Sequence, residues 1–273
     1  MPAPVPPRDW TEIRWPEIGQ ADPARWIAVL PLAAVEQHGP HLPLGTDVMI
    51  AKAYLERVRE TLPATAPVTF LPLQEIGIST EHLDFPGTLS LPTDVALKSW
   101  MALGESIARA GVKKLVIVTS HGGNSAAMTL VAQDLRAQRG LFVVTTSWSR
   151  LGAPETLFPP EEVRHGIHGG AVETSIMLAR FATHVRTEEI ADFRPTTLAM
   201  EEKYRWLSAH RPAPFAWQAQ DLHGSGAIGD ATLATADKGA QLIEHGARAF
   251  CELLEDVDKF DVTQLAGGLG EPS

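Results

Sequence analysis

A carboxylate, an imidazole and a second carboxylate lie close together in residues 35–47. Glu36 and His38 are two positions apart, so on an extended backbone both side chains point to the same side. Asp47 follows a loop that contains glycine and proline, and this loop can return its carboxylate to the same place. Imidazole nitrogen and carboxylate oxygen are suitable ligands for zinc, manganese and iron. Residues 35–47 are therefore a candidate metal-binding segment.

Further polar residues stand where predicted elements begin or end. They are His82 with Asp84, His121 alone, and His168 with Glu173. His121 follows a hydrophobic strand directly, and the carboxyl ends of parallel strands share one edge of a sheet, so these groups can meet there. A pair of metals roughly 3.5–4 Å apart needs a bridging carboxylate, and the water between them becomes a nucleophile near neutral pH.

Each of these residues also has an ordinary structural explanation. A lone histidine is more often a hydrogen-bonded structural residue than a ligand, and His41 and Asp84 are assigned to that class. Asp84 begins a segment that makes a good turn in its own right. Trp206 and Trp217 are expected to serve packing, although one of them could line a pocket. The case for a site depends on several groups standing at matching positions of the fold.

Hydrophobic patterning predicts the elements that position these residues. Strands are predicted at residues 26–35, 68–73, 115–119 and 141–147. Helices are predicted at residues 46–62, 93–111, 125–138, 171–181 and 234–257, the second of them capped by Thr93 or Asp94. Residues 192–223 are polar and irregular and are expected to form an insertion or a cover over the site. The alternation of strands and helices predicts a mostly parallel sheet with helices on both faces.

Composition excludes several classes of function. The 273 residues include 23 Lys or Arg and 33 Asp or Glu, which gives a formal charge of −10. Binding to nucleic acid or to an anionic membrane requires a cationic surface, so neither partner is expected. The single cysteine, Cys251, excludes an intrachain disulfide and a cysteine-based zinc site, and its helical pattern indicates a buried small hydrophobe.

The chain is expected to form one principal domain. Residues 1–8 predict an extended proline-rich arm, residues 9–262 the domain, and residues 263–273 a glycine-rich flexible tail. The first residues lack the apolar core of a signal peptide, and no apolar run approaches the length of a membrane span. A cytoplasmic protein is the resulting expectation.

Four ordered motifs and a fainter fifth resemble those of the creatininase (creatinine amidohydrolase) family. They are EQHGPHLPLGTD at 36–47, EHLDFPGT at 81–88, SHGGN at 120–124, HGGAVETS at 168–175 and, more faintly, GAIGDAT at 226–232. Together these segments cover most of the chain, and their order makes the resemblance highly specific.

The resemblance implies a site, a fold and an assembly. It implies that Glu36 and His121 hold one divalent metal, that His38 holds another, and that Asp47 bridges the two. It also implies that His168 handles protons during turnover. Two metals of the zinc or manganese type are expected, with iron a further option. The implied fold is a three-layer α/β/α sandwich, and the implied assembly is a homo-oligomer, often a hexamer.

The chain departs from the family pattern at Gly123. True creatininases carry a glutamate for the second metal at this position, two residues after the histidine that matches His121. Glu173 is the plausible substitute, since it would lie in the first turn of its helix, where the helix dipole favours an anion. His168 would then have to precede that helix. Creatinine itself is therefore a less secure substrate than for the family's name-giving enzymes.

These observations predict a metal-dependent amidohydrolase that cuts the C–N bond of a small amide or cyclic amide. A formamide deformylase and a peptide-trimming peptidase of the same family remain alternatives. A non-catalytic metal-binding scaffold is a further alternative, although all the implied ligands and His168 are present. A structural single-zinc protein is the least favoured, because such sites usually contain cysteine.

Overall fold

A four-stranded parallel sheet lies at the centre of the computed structural model, which describes residues 5–265. Its strands are β1 (Ile27–Leu32), β2 (Val68–Phe70), β3 (Lys114–Thr119) and β4 (Phe142–Ser147), in the order β2-β1-β3-β4. Every residue of β1 and β3 is buried, because helices cover both faces of the sheet. This double cover explains why these strands read as uninterrupted apolar runs without alternation.

The helices form two outer layers. Their bounds are α1 (Trp15–Gln20), α2 (Thr46–Thr61), α3 (Thr93–Arg109), α4 (Ser125–Arg139), α5 (Pro160–His165), α6 (Ala171–Arg180), α7 (Thr197–Lys203), α8 (Ala219–Leu222) and α9 (Ala236–Lys259). Side chains of α2, α6 and α9 pack with Val29, Val116 and Val118 on one face of the sheet. Those of α3 and α4 pack with Leu30 and Ile117 on the other. The predicted three-layer α/β/α sandwich is confirmed.

Several predicted boundaries need correction. The first strand ends at Leu32 instead of residue 35, and the second ends at Phe70 instead of residue 73. The prediction that Thr93 or Asp94 caps the second long helix is wrong, because Pro92 occupies the cap position without a side-chain hydrogen bond. The predicted start of the first long helix at residue 46 is confirmed, so Asp47 lies in the first turn of α2.

Residues 192–223 contain only short elements. They hold β5 (Asp192–Phe193), α7, β6 (Leu207–Ser208), β7 (Ala213–Pro214) and α8. The strand β5 pairs antiparallel with β8 (Gly229–Asp230), and β6 pairs with β7. The ring of Phe193 stacks on that of His41 at 5.0 Å, so the segment is attached to the loop that carries the candidate ligands.

The predicted terminal segments fall partly outside the described residues. The arm at 1–8 is described from Val5 onward, and there the Arg8 guanidinium donates to the carbonyls of Ala66 (2.7 Å) and Val68 (3.1 Å). The tail at 263–273 is described only to Leu265. Within residues 5–265, none of the helices combines the length and the apolar composition that crossing a bilayer requires.

Candidate metal centre

The six site residues predicted from the sequence converge at the carboxyl edge of the sheet. Glu36 and His38 follow β1, and His121 follows β3 after a single residue, Ser120. Asp47 lies in the first turn of α2 and Glu173 in the first turn of α6, while His168 precedes α6. The structure thus brings together residues that lie up to 137 positions apart, because parallel strands end at the same edge.

Glu36, Asp47 and His121 form the first ligand set. The His121 Nδ1 atom lies 3.0 Å from Glu36 Oε1 and 3.5 Å from Asp47 Oδ2. All three side chains are buried. One ligand atom from each lies within 4.8 Å of the others, which is the spacing of groups that hold a single metal ion.

His38, Asp47 and Glu173 form the second ligand set. The His38 Nε2 atom lies 3.8 Å from Asp47 Oδ1 and 3.7 Å from Glu173 Oε2. These atoms also lie within 4.8 Å of one another. Asp47 belongs to both sets and turns one carboxylate oxygen toward each, which is the arrangement of a carboxylate that bridges two metals.

Backbone carbonyls fix the orientation of both histidine ligands. His38 donates from Nδ1 to the Glu36 carbonyl (3.0 Å), which leaves its Nε2 lone pair directed at the second set. His121 donates from Nε2 to the Ile78 carbonyl (2.8 Å), which directs Nδ1 at the first set. Metal-binding histidines characteristically donate their other ring N–H to such a partner.

Buried polar atoms in the centre lack hydrogen-bond partners among the described residues. They are Glu36 Oε1, His38 Nε2 and Asp47 Oδ2. A buried polar atom without a partner costs free energy, and native structures rarely contain several together. Each of these atoms faces one of the two ligand sets, so the residues present fit a pair of divalent metals.

The ionisation of the ligands reflects burial and mutual contact. Burial lowers the pKa of His38 to about 4, which keeps the imidazole neutral and able to bind metal. Burial alone would lower the pKa of His121, but the carboxylates of Glu36 and Asp47 outweigh it and raise that pKa to about 10. Burial, with the charge of Glu36, raises the pKa of Asp47. Crowded carboxylates of this kind favour a cation between them.

His168 faces the two ligand sets without belonging fully to either. Its Nε2 donates to the Gln37 carbonyl, so Nδ1 is free and lies 3.7 Å from Glu36 Oε1. Its ring lies over that of His38, with the centroids 4.1 Å apart. Burial and the adjacent His38 lower its pKa to about 4. A neutral imidazole with a free nitrogen at the reaction centre can accept a proton.

The structure adds supporting residues that the predicted ligand set did not include. Ser79 donates to Glu36 Oε2, and His82 Nε2 lies 3.4 Å from Glu36 Oε1. Gln37 holds His82 by donating to its Nδ1 at 2.8 Å. The carboxylate of Glu162 accepts from the Ala171 backbone N–H at 2.7 Å and so anchors the start of α6. His82 and Gln37 had a signal in the sequence, since they lie in the motifs at 81–88 and 36–47. Ser79 and Glu162 lie outside the motifs and reach the site only through tertiary contacts.

Gly123 is fixed by the packing around His121. A Cβ atom at this position would lie 2.4 Å from His121 Nε2 and 2.8 Å from the Ile78 carbonyl oxygen. It would therefore break into the hydrogen bond that orients His121. The Glu81 carboxylate lies beside the same point, with Oε1 3.5 Å from His121 Nε2. The position of the His121 ring therefore requires a residue without a side chain at position 123.

An apolar cavity of about 290 Å³ opens beside His168 and Glu173. Its wall is largely aromatic and aliphatic, with contributions from Tyr54, Trp148, Phe158, Val163, Ile167 and Ile176. Ser120 and Ser149 add hydroxyl groups. The cavity can receive an apolar group of a substrate whose reacting bond lies at the ligand sets.

Comparison with known proteins matches most of the chain. The family model described as creatininase (creatinine amidohydrolase) matches residues 11–254. A mycofactocin precursor peptide peptidase of Mycobacterium tuberculosis is 32% identical over 227 residues, which are 78% of this chain and 78% of the relative. A creatinine amidohydrolase of Pseudomonas putida is 28% identical over 234 residues, 80% of this chain and 84% of the relative.

The same architecture occurs among solved structures. A creatininase structure in a form designated Mn superposes with a TM-score of 0.73 at 23% identity. The match covers 93% of this chain and 100% of that one. At this level of identity the likeness establishes the common fold.

Proposed function

This chain belongs to the creatininase family and is a metal-dependent amidohydrolase, and we propose that it uses two divalent metals to cut a peptide bond beside an apolar side chain. The observation that carries the metal pair is the sharing of Asp47 between two ligand sets whose histidines are oriented by backbone carbonyls. The proposed ligands are Glu36, Asp47 and His121 for one metal, with His38, Asp47 and Glu173 for the other.

The donor set suits zinc or manganese, since it offers imidazole nitrogen and carboxylate oxygen without thiolate. The Mn form of a creatininase of the same fold supports manganese as one candidate. When bound, such a metal pair supplies Lewis acidity, which lowers the pKa of water and polarises a carbonyl. The buried carboxylates balance the positive charge of the metals in a site that largely excludes solvent.

His168 performs the proton transfers in this proposal. Its Nδ1 takes a proton from the attacking water while Nε2–H stays bound to the Gln37 carbonyl, which keeps the ring in place. The same Nδ1 then gives that proton to the leaving nitrogen as the C–N bond breaks. Water and an amide are thereby converted into a carboxylic acid and an amine, and at neutral pH the proton of the acid passes to the amine.

Two observations support a peptide as the substrate. The apolar cavity beside His168 and Glu173 matches an amino-acid side chain better than it matches a small polar ring. The mycofactocin precursor peptide peptidases provide relatives of the same family at 32% and 31% identity. Gly123, which stands where creatininases carry a metal-binding glutamate, also weighs against creatinine.

A small cyclic amide is the second candidate. The creatinine amidohydrolase of Pseudomonas putida supports it at 28% identity, and the cavity is large enough for such a ring. Formamide cleavage and a non-catalytic metal-binding role remain lower alternatives. A homo-oligomer, a cytoplasmic location and a single domain over residues 9–262 stay predictions.

An activity panel tests the proposal. Protein loaded with Mn or Zn is assayed against short peptides that differ only in one apolar or polar side chain, together with creatinine and a formamido-pyrimidine. We expect hydrolysis of the apolar peptides, loss of activity in chelator and recovery on adding metal. Hydrolysis of creatinine alone would instead identify a small cyclic amide as the substrate. Unchanged activity in chelated buffer would overturn the metal mechanism.

A further inference from the structure

A second cleft, of about 520 Å³, lies between α5, α7 and the paired strands β6 and β7. Basic and aromatic side chains dominate its wall, namely Arg164, His165, Arg205, Trp206, His210 and Arg211. Among the described residues that line it, Glu201 is the single carboxylate. A concentration of basic groups is unexpected in a chain with a formal charge of −10.

The one carboxylate that lines the cleft already pairs with two basic side chains. Glu201 accepts from His165 Nε2 at 2.8 Å and pairs with Arg164 Nη1 at 2.7 Å. Within residues 5–265, Arg205 and Arg211 have no carboxylate partner. Two guanidinium groups therefore remain available to an anion that enters the cleft.

His210 lies among the other basic groups of the cleft. Burial lowers the pKa of His210, and the neighbouring His165 and Arg211 lower it further because positive charges repel its proton. These three residues therefore lie close enough to interact. An anionic group that enters the cleft there can pair with Arg211.

Trp206 adds a flat surface beside these charges. Trp206 is 62% exposed and lines the cleft, which matches the alternative that one of the two tryptophans lines a pocket and not the expectation that it serves packing. The Arg205 guanidinium lies over its ring at 5.0 Å. An arginine held over an indole is oriented for planar, bidentate pairing with a carboxylate.

The cleft adjoins the apolar cavity of the metal centre. Ile167 lines both, and it immediately precedes His168. The helix α5 separates them, since Val163 faces the cavity while Arg164 and His165 face the cleft. A short peptide can therefore place an apolar side chain on one side of Ile167 and a charged group on the other.

We propose that this cleft binds a carboxylate of the substrate, so that the enzyme selects short peptides with an anionic end. Arg205 and Arg211 are the specificity-determining residues, and Trp206 positions Arg205. The inference rests on the proposed peptide hydrolysis, because it assigns the cleft to the same substrate. Both a C-terminal carboxylate and an acidic side chain provide the required chemistry.

Binding is tested first, without reference to turnover. Calorimetry on the metal-loaded protein compares N-acetyl-phenylalanine with its uncharged amide. We expect the carboxylate to bind at least about tenfold more tightly, as hydrogen bonds to charged groups allow. The Arg205→Gln, Arg211→Gln double variant should lose this preference. The matched control Arg109→Gln, on the exposed surface of α3, should retain it.

Two binding results would overturn the proposal. One is an equal preference for the carboxylate in the wild type and the double variant, which would show that the carboxylate binds at the metals and not in the cleft. The other is tight binding of AMP together with no preference for the carboxylate over the amide, which would assign the cleft to a phosphate ligand. Thermal unfolding of each variant verifies that the fold is retained, as expected for substitutions at exposed positions.

Kinetics then assign the source of the carboxylate. Matched peptides carry a free C-terminus, a C-terminal amide, or a C-terminal amide with a neighbouring glutamate. We expect the double variant to raise KM about tenfold for the preferred anionic peptide, with kcat unchanged, since the lost contact serves binding only. Preference for the free C-terminus or for the glutamate peptide supports the proposal and identifies the group recognised.

The two proposals fail in different ways. If the cleft prefers the carboxylate in calorimetry but no peptide is hydrolysed, the proposed function is wrong and the anion site stands. If peptides are hydrolysed at equal rates whatever their charge, and the double variant behaves as wild type, the cleft proposal is wrong and the peptidase stands.

Discussion

The two ligand sets share Asp47 but differ in their exposure to solvent. In the first set, both Glu36 and His121 are buried. In the second set, the Glu173 side chain is 22% exposed and borders the apolar cavity. We therefore expect the first set to retain its metal and the second set to contact the substrate.

The largest effect is expected from the residue that both sets share. Asp47→Asn keeps the size of the side chain but removes the charge that two metals would share. We expect activity to fall by at least about 10³-fold, because a metal contributes several kcal/mol to transition-state stabilisation. Metal analysis should show loss from both sets. Retention of two equivalents with normal turnover would remove Asp47 from its bridging role.

A smaller effect, confined to the second set, is expected from Glu173→Gln. The amide oxygen can still accept from the Gly169 backbone N–H, which Glu173 holds at 2.6 Å, so the start of α6 stays in place. Only the charge toward His38 is lost. We expect the affinity for one of two metal equivalents to fall by roughly 10–100-fold, a range typical of weakened support at metal sites.

Titration with Mn, followed by calorimetry, distinguishes the two sets in this variant. The account expects one equivalent to bind as in the wild type and the other to weaken. If both equivalents weaken together, or neither does, Glu173 does not serve the second set alone.

The adjacent glycines Gly122 and Gly123 offer a matched pair for the first set. A Cβ at 123 would lie 2.4 Å from His121 Nε2, whereas one at 122 would meet nothing within 4 Å. Gly123→Ala should therefore displace His121 and weaken metal binding by about tenfold or more, with about 1–3 kcal/mol of lost stability from overpacking. Gly122→Ala should leave both quantities near wild type. Similar behaviour of the two variants would refute the assigned role of Gly123.

The last prediction concerns the pH dependence of metal binding. In the metal-free protein the pKa of His121 is raised to about 10, so its Nδ1 carries a proton at neutral pH. Metal binding to the first set must release that proton, and affinity should fall as pH falls, by about tenfold per unit for each proton released. Calorimetry in buffers of different ionisation enthalpy counts the protons. A pH-independent affinity between pH 6 and 9 would contradict this protonation state.

The strands and the candidate ligands could be predicted from different features of the sequence. The strand β3 was evident because its apolar, β-branched run is buried on both faces. Glu36, His38 and His121 were predicted because they follow such strands, and parallel strands end at one edge. Asp47 was expected after a loop, at the start of a helix predicted from residue 46, and it lies in the first turn of α2.

The supporting residues were not predictable in the same way. Ser79 and Gln37 act through contacts with Glu36 and His82, which depend on how loops fold over the sheet edge. No period or spacing encodes such contacts. The segment 192–223 illustrates the same difficulty, because its short elements follow no hydrophobic period, and the exposure of Trp206 became evident only in the folded chain.

The occupancy of the two ligand sets is the central claim, and anomalous diffraction from crystals of the Mn-loaded protein tests it most directly. The account predicts two manganese peaks roughly 3.5–4 Å apart, the separation of a bridged metal pair. Asp47 should contact both, with Glu36 and His121 at one and His38 and Glu173 at the other. A single peak, or two peaks without Asp47 between them, would contradict the account.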